Sequence, residues 1–139
     1  MQTYEIQEAT AAEKLASIAE HLDVLAGEID TLKAQISDLD EAGVCTGTDY
    51  WRDGTKLYAN HGINKTCPIH GTPEPGKRLR TYVGTDATTQ AEVLAAMERC
   101  KEKSNLESAV RQIEIQHSRI ERAVTTAWRI ATGHQRWEW

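Results

Sequence analysis

Apolar residues between Leu15 and Leu39 fall at Leu15, Ile18, Leu22, Leu25, Ile29, Leu32, Ile36 and Leu39, in alternating steps of three and four. That period is a stripe on one side of an α-helix. Placing Leu15, Leu22, Ile29 and Ile36 at heptad position a and the others at d gives an uninterrupted seam, roughly 40 Å long at about 1.5 Å per residue. Ala12, Ala19 and Ala26 recur at e, which widens the stripe and suits a helical hairpin or bundle better than an isolated parallel dimer. In a parallel pairing only Glu28 with Lys33 would be clearly attractive across the flanking positions, so self-association in that mode is weakly encoded. Thr10 and Glu13 have the spacing of a capping box, and Gly43 supplies the stop, so the first element belongs to residues 1–42.

The helical period vanishes in residues 43–85. Two runs rich in Thr, Tyr and Trp flank Asp53-Gly54, the preferred pair of a two-residue type I′ hairpin loop. A two-residue loop sets Arg52 opposite Thr55, Trp51 opposite Lys56, Tyr50 opposite Leu57 and Asp49 opposite Tyr58. A third strand is expected from Lys77 to Val83, entered through Pro73-Glu74-Pro75-Gly76 and left at Gly84. Alternation then gives a packing face of Tyr50, Leu57, Ala59, Leu79 and Val83. The opposite face carries Trp51, Lys56, Tyr58, Arg78, Arg80 and Tyr82, with Lys77 at its edge.

Helical periodicity resumes over residues 86–132. Thr89 and Glu92 have capping-box spacing. Val93, Met97 and Cys100 form one stripe. Leu106, Val110, Ile113, His117, Ile120, Val124, Ala127 and Ala131 form a second, displaced by one residue from the first. The displacement means either a kink and fresh start near residues 101–105, where Ser104 and Glu107 again have capping-box spacing, or an underwound stretch. A break or bend is the favoured expectation. The segment beyond it matches the first helix in length, so the two should lie antiparallel. Residues 133–139 form a tail carrying Trp137 and Trp139. The pattern predicts an α+β protein, mostly α: a long antiparallel helical hairpin or coiled coil with a small three-stranded antiparallel sheet inserted, all within one structural domain.

The chain of 139 residues is long enough for one core, and a mean hydropathy of -0.56 with no Phe argues against a β-sandwich. No apolar run approaches the roughly 18 residues of a membrane span, and the polar, acidic start is unlike a signal peptide, so the expected compartment is the cytoplasm. Three cysteines do not read as a disulfide framework. Net charge is -5, unevenly spread: residues 1–41 carry ten acidic and two basic side chains, residues 42–85 three and six. An anionic partner would therefore meet the middle region.

Cys45, His61, Cys67 and His70 are the one candidate metal set. Cys67-Pro68-Ile69-His70-Gly71 has the two-residue ligand gap of a zinc knuckle, and a structural Zn²⁺ would hold together a sheet poor in apolar residues. Cys45 and His61 lack such close spacing, which leaves two other readings open: a Cys45–Cys67 bridge, or four ordinary side chains. His117, inside an apolar stripe, is most simply a half-buried polar layer, and Cys100 a small core residue.

The face bearing Trp51, Lys56, Tyr58, Lys77, Arg78, Arg80 and Tyr82 mixes cations with rings, as nucleic-acid surfaces do because phosphates attract Lys and Arg while bases stack on π-faces. Such side chains are also common on any solvated sheet. The order strand, Asp-Gly turn, strand, strand with Lys-Arg-Leu-Arg-Thr-Tyr, then a helix opening Thr-Thr-Gln-Ala-Glu-Val-Leu resembles the arm-binding domains of phage-type integrases over residues 48–103. The resemblance implies a sheet that docks in the DNA major groove; the chain departs from it by inserting His61 to Gly76 between the second and third strands.

No Walker loop, Gly-x-Ser-x-Gly elbow or His-Glu-x-x-His motif occurs, so a non-enzyme is expected. The leading expectation is a binding protein whose sheet contacts nucleic acid, DNA rather than RNA, and whose helices pack or form a homodimer. The alternative is a protein-binding adaptor or inhibitor from a phage or other mobile element, for example an anti-defence protein. The acidic first helix and a partner-binding role for Trp137 and Trp139 favour that alternative.

Overall fold

The computed structural model describes residues 9–133, so the tail bearing Trp137 and Trp139 lies outside the described residues. The order of elements is α1 (Ala11–Ala42), β1 (Thr48–Arg52), β2 (Lys56–Ile63), β3 (Arg78–Gly84) and α2 (Ala87–Thr132). The fold is α+β and mostly α, with one antiparallel sheet in the order β1-β2-β3. The chain forms two compact units. One comprises residues 32–109 and holds the sheet; the other joins the first part of α1 to the last part of α2.

Local chemistry sets the ends of α1. The Glu13 N–H donates to Thr10 Oγ1, and the Thr10 hydroxyl donates to Glu13 Oε1, each at 3.1 Å, so Thr10 caps the first turn. At the other end Gly43 takes φ of +99° and its N–H reaches the carbonyls of Leu39 and Asp40. Arg99 adds a cap from α2, donating from Nε to Gly43 O at 2.6 Å and from Nη2 to Ala42 O at 3.3 Å. These are carbonyls that a helix end cannot satisfy by itself.

From Ile18 onward the a/d residues of α1 are its covered face: Leu25 is buried, Ile18, Leu22, Ile29, Leu32, Ile36 and Leu39 are half-buried, and Leu15 alone of the set is exposed. The widening at e does not occur. Ala12, Ala19 and Ala26 are all exposed, because a single partner helix covers only the narrow a/d seam. Within the unit containing both chain ends, Leu15 and Ile18 share a groove with Ile120, Val124 and Ala127; within the other, Asp40 pairs with Lys103. Early residues of α1 therefore meet late residues of α2, as an antiparallel hairpin requires.

The break expected near residues 101–105 is absent: α2 is one uninterrupted helix of 46 residues. Its inward positions run Met97, Cys100, Lys103, Leu106 and Val110, so three successive steps of three absorb the displacement between the two stripes. Lys103 is the layer that an apolar count misses. Its stem lies on the seam while Nζ reaches the rim and pairs with Asp40 Oδ1 at 2.7 Å. The N-cap of α2 also differs from expectation, since Asp86 accepts the Thr89 N–H at 3.0 Å and the Thr89 hydroxyl at 2.8 Å.

Asp53 and Gly54 form the anticipated turn, both at positive φ, with the Thr55 N–H donating to Arg52 O. The strand register nevertheless slips by one. Arg52 pairs with Lys56, Trp51 with Leu57, Tyr50 with Tyr58 and Asp49 with Ala59, leaving Thr55 as an extra unpaired residue. A slip of one exchanges faces. Tyr50 therefore leaves the packing face for the outer one, and Trp51 goes the other way. Behind the sheet, Cys45, Ala59, Cys67, Val93, Ala96 and Met97 make the core, with Val83 and Leu94 packed against it.

Candidate metal centre and the outer sheet face

Cys45 lies just beyond α1, His61 near the end of β2, and Cys67 and His70 in the excursion between β2 and β3. Their four ligand atoms lie within 4.8 Å of one another, and this cluster can hold a metal ion. Cys45 Sγ is 3.8 Å from Cys67 Sγ, 3.7 Å from His61 Nε2 and 3.5 Å from His70 Nδ1, while Cys67 Sγ is 3.6 Å from His70 Nδ1. The sulfurs are too far apart for a disulfide bond, and both cysteines are free thiols.

Backbone geometry builds this arrangement. Cys67 and Gly71 exchange N–H···O bonds of 2.8 Å, closing the Pro68-Ile69-His70 turn so that His70 swings back over the Cys67 sulfur, and Gly71 supplies the required φ of +97°. Cys45 is tied to α2 by its N–H to Ala96 O at 3.1 Å. The His61 ring is oriented by an Nδ1–H bond to Leu79 O at 3.2 Å, which turns Nε2 toward the sulfurs. Three of the four residues, Cys45, His61 and Cys67, are at most 2% exposed. His70 is half-buried and packs edge-on against His61.

The two thiols have unlike acidities. Burial pushes Cys45 up to about 11, against one opposing N–H bond from Gly47. Burial acts on Cys67 as well, but backbone N–H bonds from His70, Thr46 and Ile69 and a bond from His61 outweigh it, and the thiol falls to about 6. The Cys67 thiolate thus stabilises the fold at high pH, and this contribution fades as pH falls from about 9 through about 6. Cys45 acts oppositely: its neutral thiol stabilises the fold below about 9, and that is lost as pH rises through about 11. By themselves the four side chains hold one thiolate and one thiol at neutral pH, and a metal would displace the remaining Cys45 proton.

Gly47 is a site residue that the sequence did not single out. A Cβ there would stand 2.9 Å from His61 Nε2 and 3.0 Å from Asn60 O, closer than carbon tolerates. Gly47→Ala should therefore displace His61 from the cluster and lower metal affinity by about 10- to 100-fold, the usual cost of disturbing ligand orientation, as read by competition with a chromophoric chelator.

The outer sheet face gathers Tyr50, Tyr58 and Tyr82 in one row across the three strands, with ring centroids 6.2 and 5.0 Å apart. Arg80 lies over this row, its guanidinium 4.6 Å from the Tyr50 centroid and 5.5 Å from that of Tyr58, while Nε donates to Asn60 Oδ1 at 3.1 Å. Arg52, Lys56 and Arg78 occupy exposed positions of the same parity, and none of the strand positions on this face is acidic. Lys77 is exposed beside it and pairs with Glu74 at 3.0 Å. Trp51 does not belong to this face; it shares the side of Leu57, and its indole N–H donates to Asp49 Oδ2 at 3.0 Å. Tyr50 and Arg52 were missed because only the true register turns them to this face; Asn60 already shared the parity of Lys56 and Tyr58 and was passed over because it carries neither charge nor ring.

No protein-family model, curated protein or solved structure matches the chain. Among the described residues no helix is long and apolar enough to cross a membrane.

Proposed function

We propose that this is a non-enzymatic, zinc-stabilised binding protein whose outer sheet face takes single-stranded nucleic acid, DNA in the first instance. The zinc half rests on distance. A tetrahedral ion with Zn–S of about 2.3 Å and Zn–N of about 2.0–2.1 Å needs sulfurs about 3.8 Å apart and sulfur-to-nitrogen distances of about 3.5–3.6 Å. The Cys45–Cys67 separation of 3.8 Å and the 3.5–3.7 Å from Cys45 to His61 and His70 and from Cys67 to His70 match those values, and all four ligand atoms lie within 4.8 Å. Two thiolates with two imidazoles are a donor set that suits Zn²⁺, and four protein ligands leave no open position for catalysis.

The observation that carries the nucleic-acid half is the row of Tyr50, Tyr58 and Tyr82 beneath Arg80, in the one basic region of an acidic chain. Tyr50 is 43% and Tyr82 54% exposed, so aromatic surface is available to stacking bases while Arg52, Lys56, Arg78 and Arg80 supply charge for phosphates. Titrating a labelled single-stranded DNA oligonucleotide with the protein at several salt concentrations tests this reading. Binding should weaken with a log–log slope of about -2 to -3, as expected if three or four phosphates are neutralised. No binding at low salt, or binding that salt leaves unchanged, would dismiss it.

A further inference from the structure

Among the described residues, the helical unit formed by the first part of α1 and the last part of α2 leaves one flank of its seam uncovered. A groove of about 360 Å³, lined almost wholly by apolar atoms, opens between Leu15, Ile18 and His21 of α1 and Ile120, Ala123 and Ala127 of α2. Helical spacing extends that flank: Val24 stands three residues after His21, and Ile130 three after Ala127. Leu15, Val24 and Ile130 are 55%, 58% and 62% exposed. Among the described residues nothing covers this side of the two-helix layer, and of those in the unit only Leu25 and Val110 are buried.

Charge on the rims identifies the occupant. One turn outward from the groove, α1 presents Glu13 and Glu20, whereas α2 presents Arg119, Arg122 and Arg129, all exposed. A second copy rotated about a two-fold axis along the helices sets each acidic rim against the partner's basic rim, while the two apolar grooves close on each other. We propose that the protein is a homodimer built in this way, a four-helix bundle in which Val24 and Ile130 cross into the partner's groove. The interface is isologous, and its rim charges select antiparallel α1–α2 neighbours over like-with-like pairing.

Sedimentation equilibrium of the full chain should return a mass of twice 15.5 kDa. Val24→Glu with Ile130→Glu should return a single-chain mass with helicity retained by circular dichroism. Two exposed charge variants test the arrangement without touching the core. Arg119→Glu/Arg122→Glu and Glu13→Arg/Glu20→Arg should each weaken self-association by about tenfold or more, because like charges then meet across both rims. Mixing those two variants should restore dimers, since every rim contact is again between opposite charges. A single-chain mass for the unaltered protein at its highest soluble concentration would overturn the proposal. So would charge variants that dimerise as tightly as the parent, or a mixture no tighter than either variant alone.

Discussion

Chelation should strip one zinc ion per chain and unfold residues 43–85, while most of the helical signal persists. The core behind the sheet explains why. Its buried side chains are few: Cys45 and Cys67 are themselves ligands and Ala59 and Ala96 are small, which leaves Val44, Leu57, Val93 and Met97 as the larger apolar contributors. So few large apolar side chains leave a segment of about forty residues short of the burial needed to offset the entropy of ordering its backbone. A structural zinc supplies a large part of the folding free energy of a small metal-bound domain, so occupancy of the site should decide whether the segment is ordered. Amide exchange in residues 43–85 should accelerate to near the unfolded rate after chelation, with the Leu25 and Val110 region much less affected. His61→Ala should behave like the chelated protein. His70→Cys should keep both zinc and exchange protection, because it exchanges one suitable ligand for another beside Cys67. Purified protein that contains no zinc, with unchanged exchange in excess chelator, would remove the ion from the account.

Arg80→Ala should reduce affinity for single-stranded DNA by about 10- to 100-fold and lower the steepness of the salt dependence by about 0.7, the share of one phosphate contact. Arg80 is placed to act twice over: it brings charge to the centre of the face, and its stacking on Tyr50 and Tyr58 with the bond to Asn60 holds the rings in order. Tyr58→Ala should cost a comparable amount, because each stacked base is worth about 1–3 kcal/mol, but should leave the salt slope as it was. Trp51→Ala is the informative control. Its side chain is turned to the other side of the sheet and bonded to Asp49, so affinity should stay within about twofold of the parent. Loss of binding on Trp51→Ala together with indifference to Arg80→Ala would place the contact surface elsewhere.

The features readable from the chain are those set by neighbours in sequence. The three-four spacing from Leu15 to Leu39, the Thr10–Glu13 box and the Gly43 stop each rest on interactions within about one helical turn, and α1 forms between those signals. Asp53-Gly54 likewise made its turn because both residues tolerate positive φ. The ligand types at Cys45, His61, Cys67 and His70 were visible as well, although only the Cys67–His70 pair had informative spacing.

Tertiary structure decided what depends on distant partners. Thr55 as an extra residue shifts β1 against β2 by one, and local turn preference says nothing about that shift; the pairing across three strands and the Gln90 bonds to Thr55 O and Gly84 O accompany it. That shift alone moved Tyr50 onto the outer face and Trp51 off it. The continuity of α2 turned on Lys103, whose apolar stem serves the seam while its charge meets Asp40 sixty-three positions away. Four ligands separated along the chain came within 4.8 Å only because α1, β2 and the Cys67–Gly71 turn end at one place, with Gly47 keeping room for His61. Periodicity and turn chemistry are local free energies and can be read residue by residue; register, closure of a seam and convergence of ligands are settled by contacts that exist only once the chain has folded.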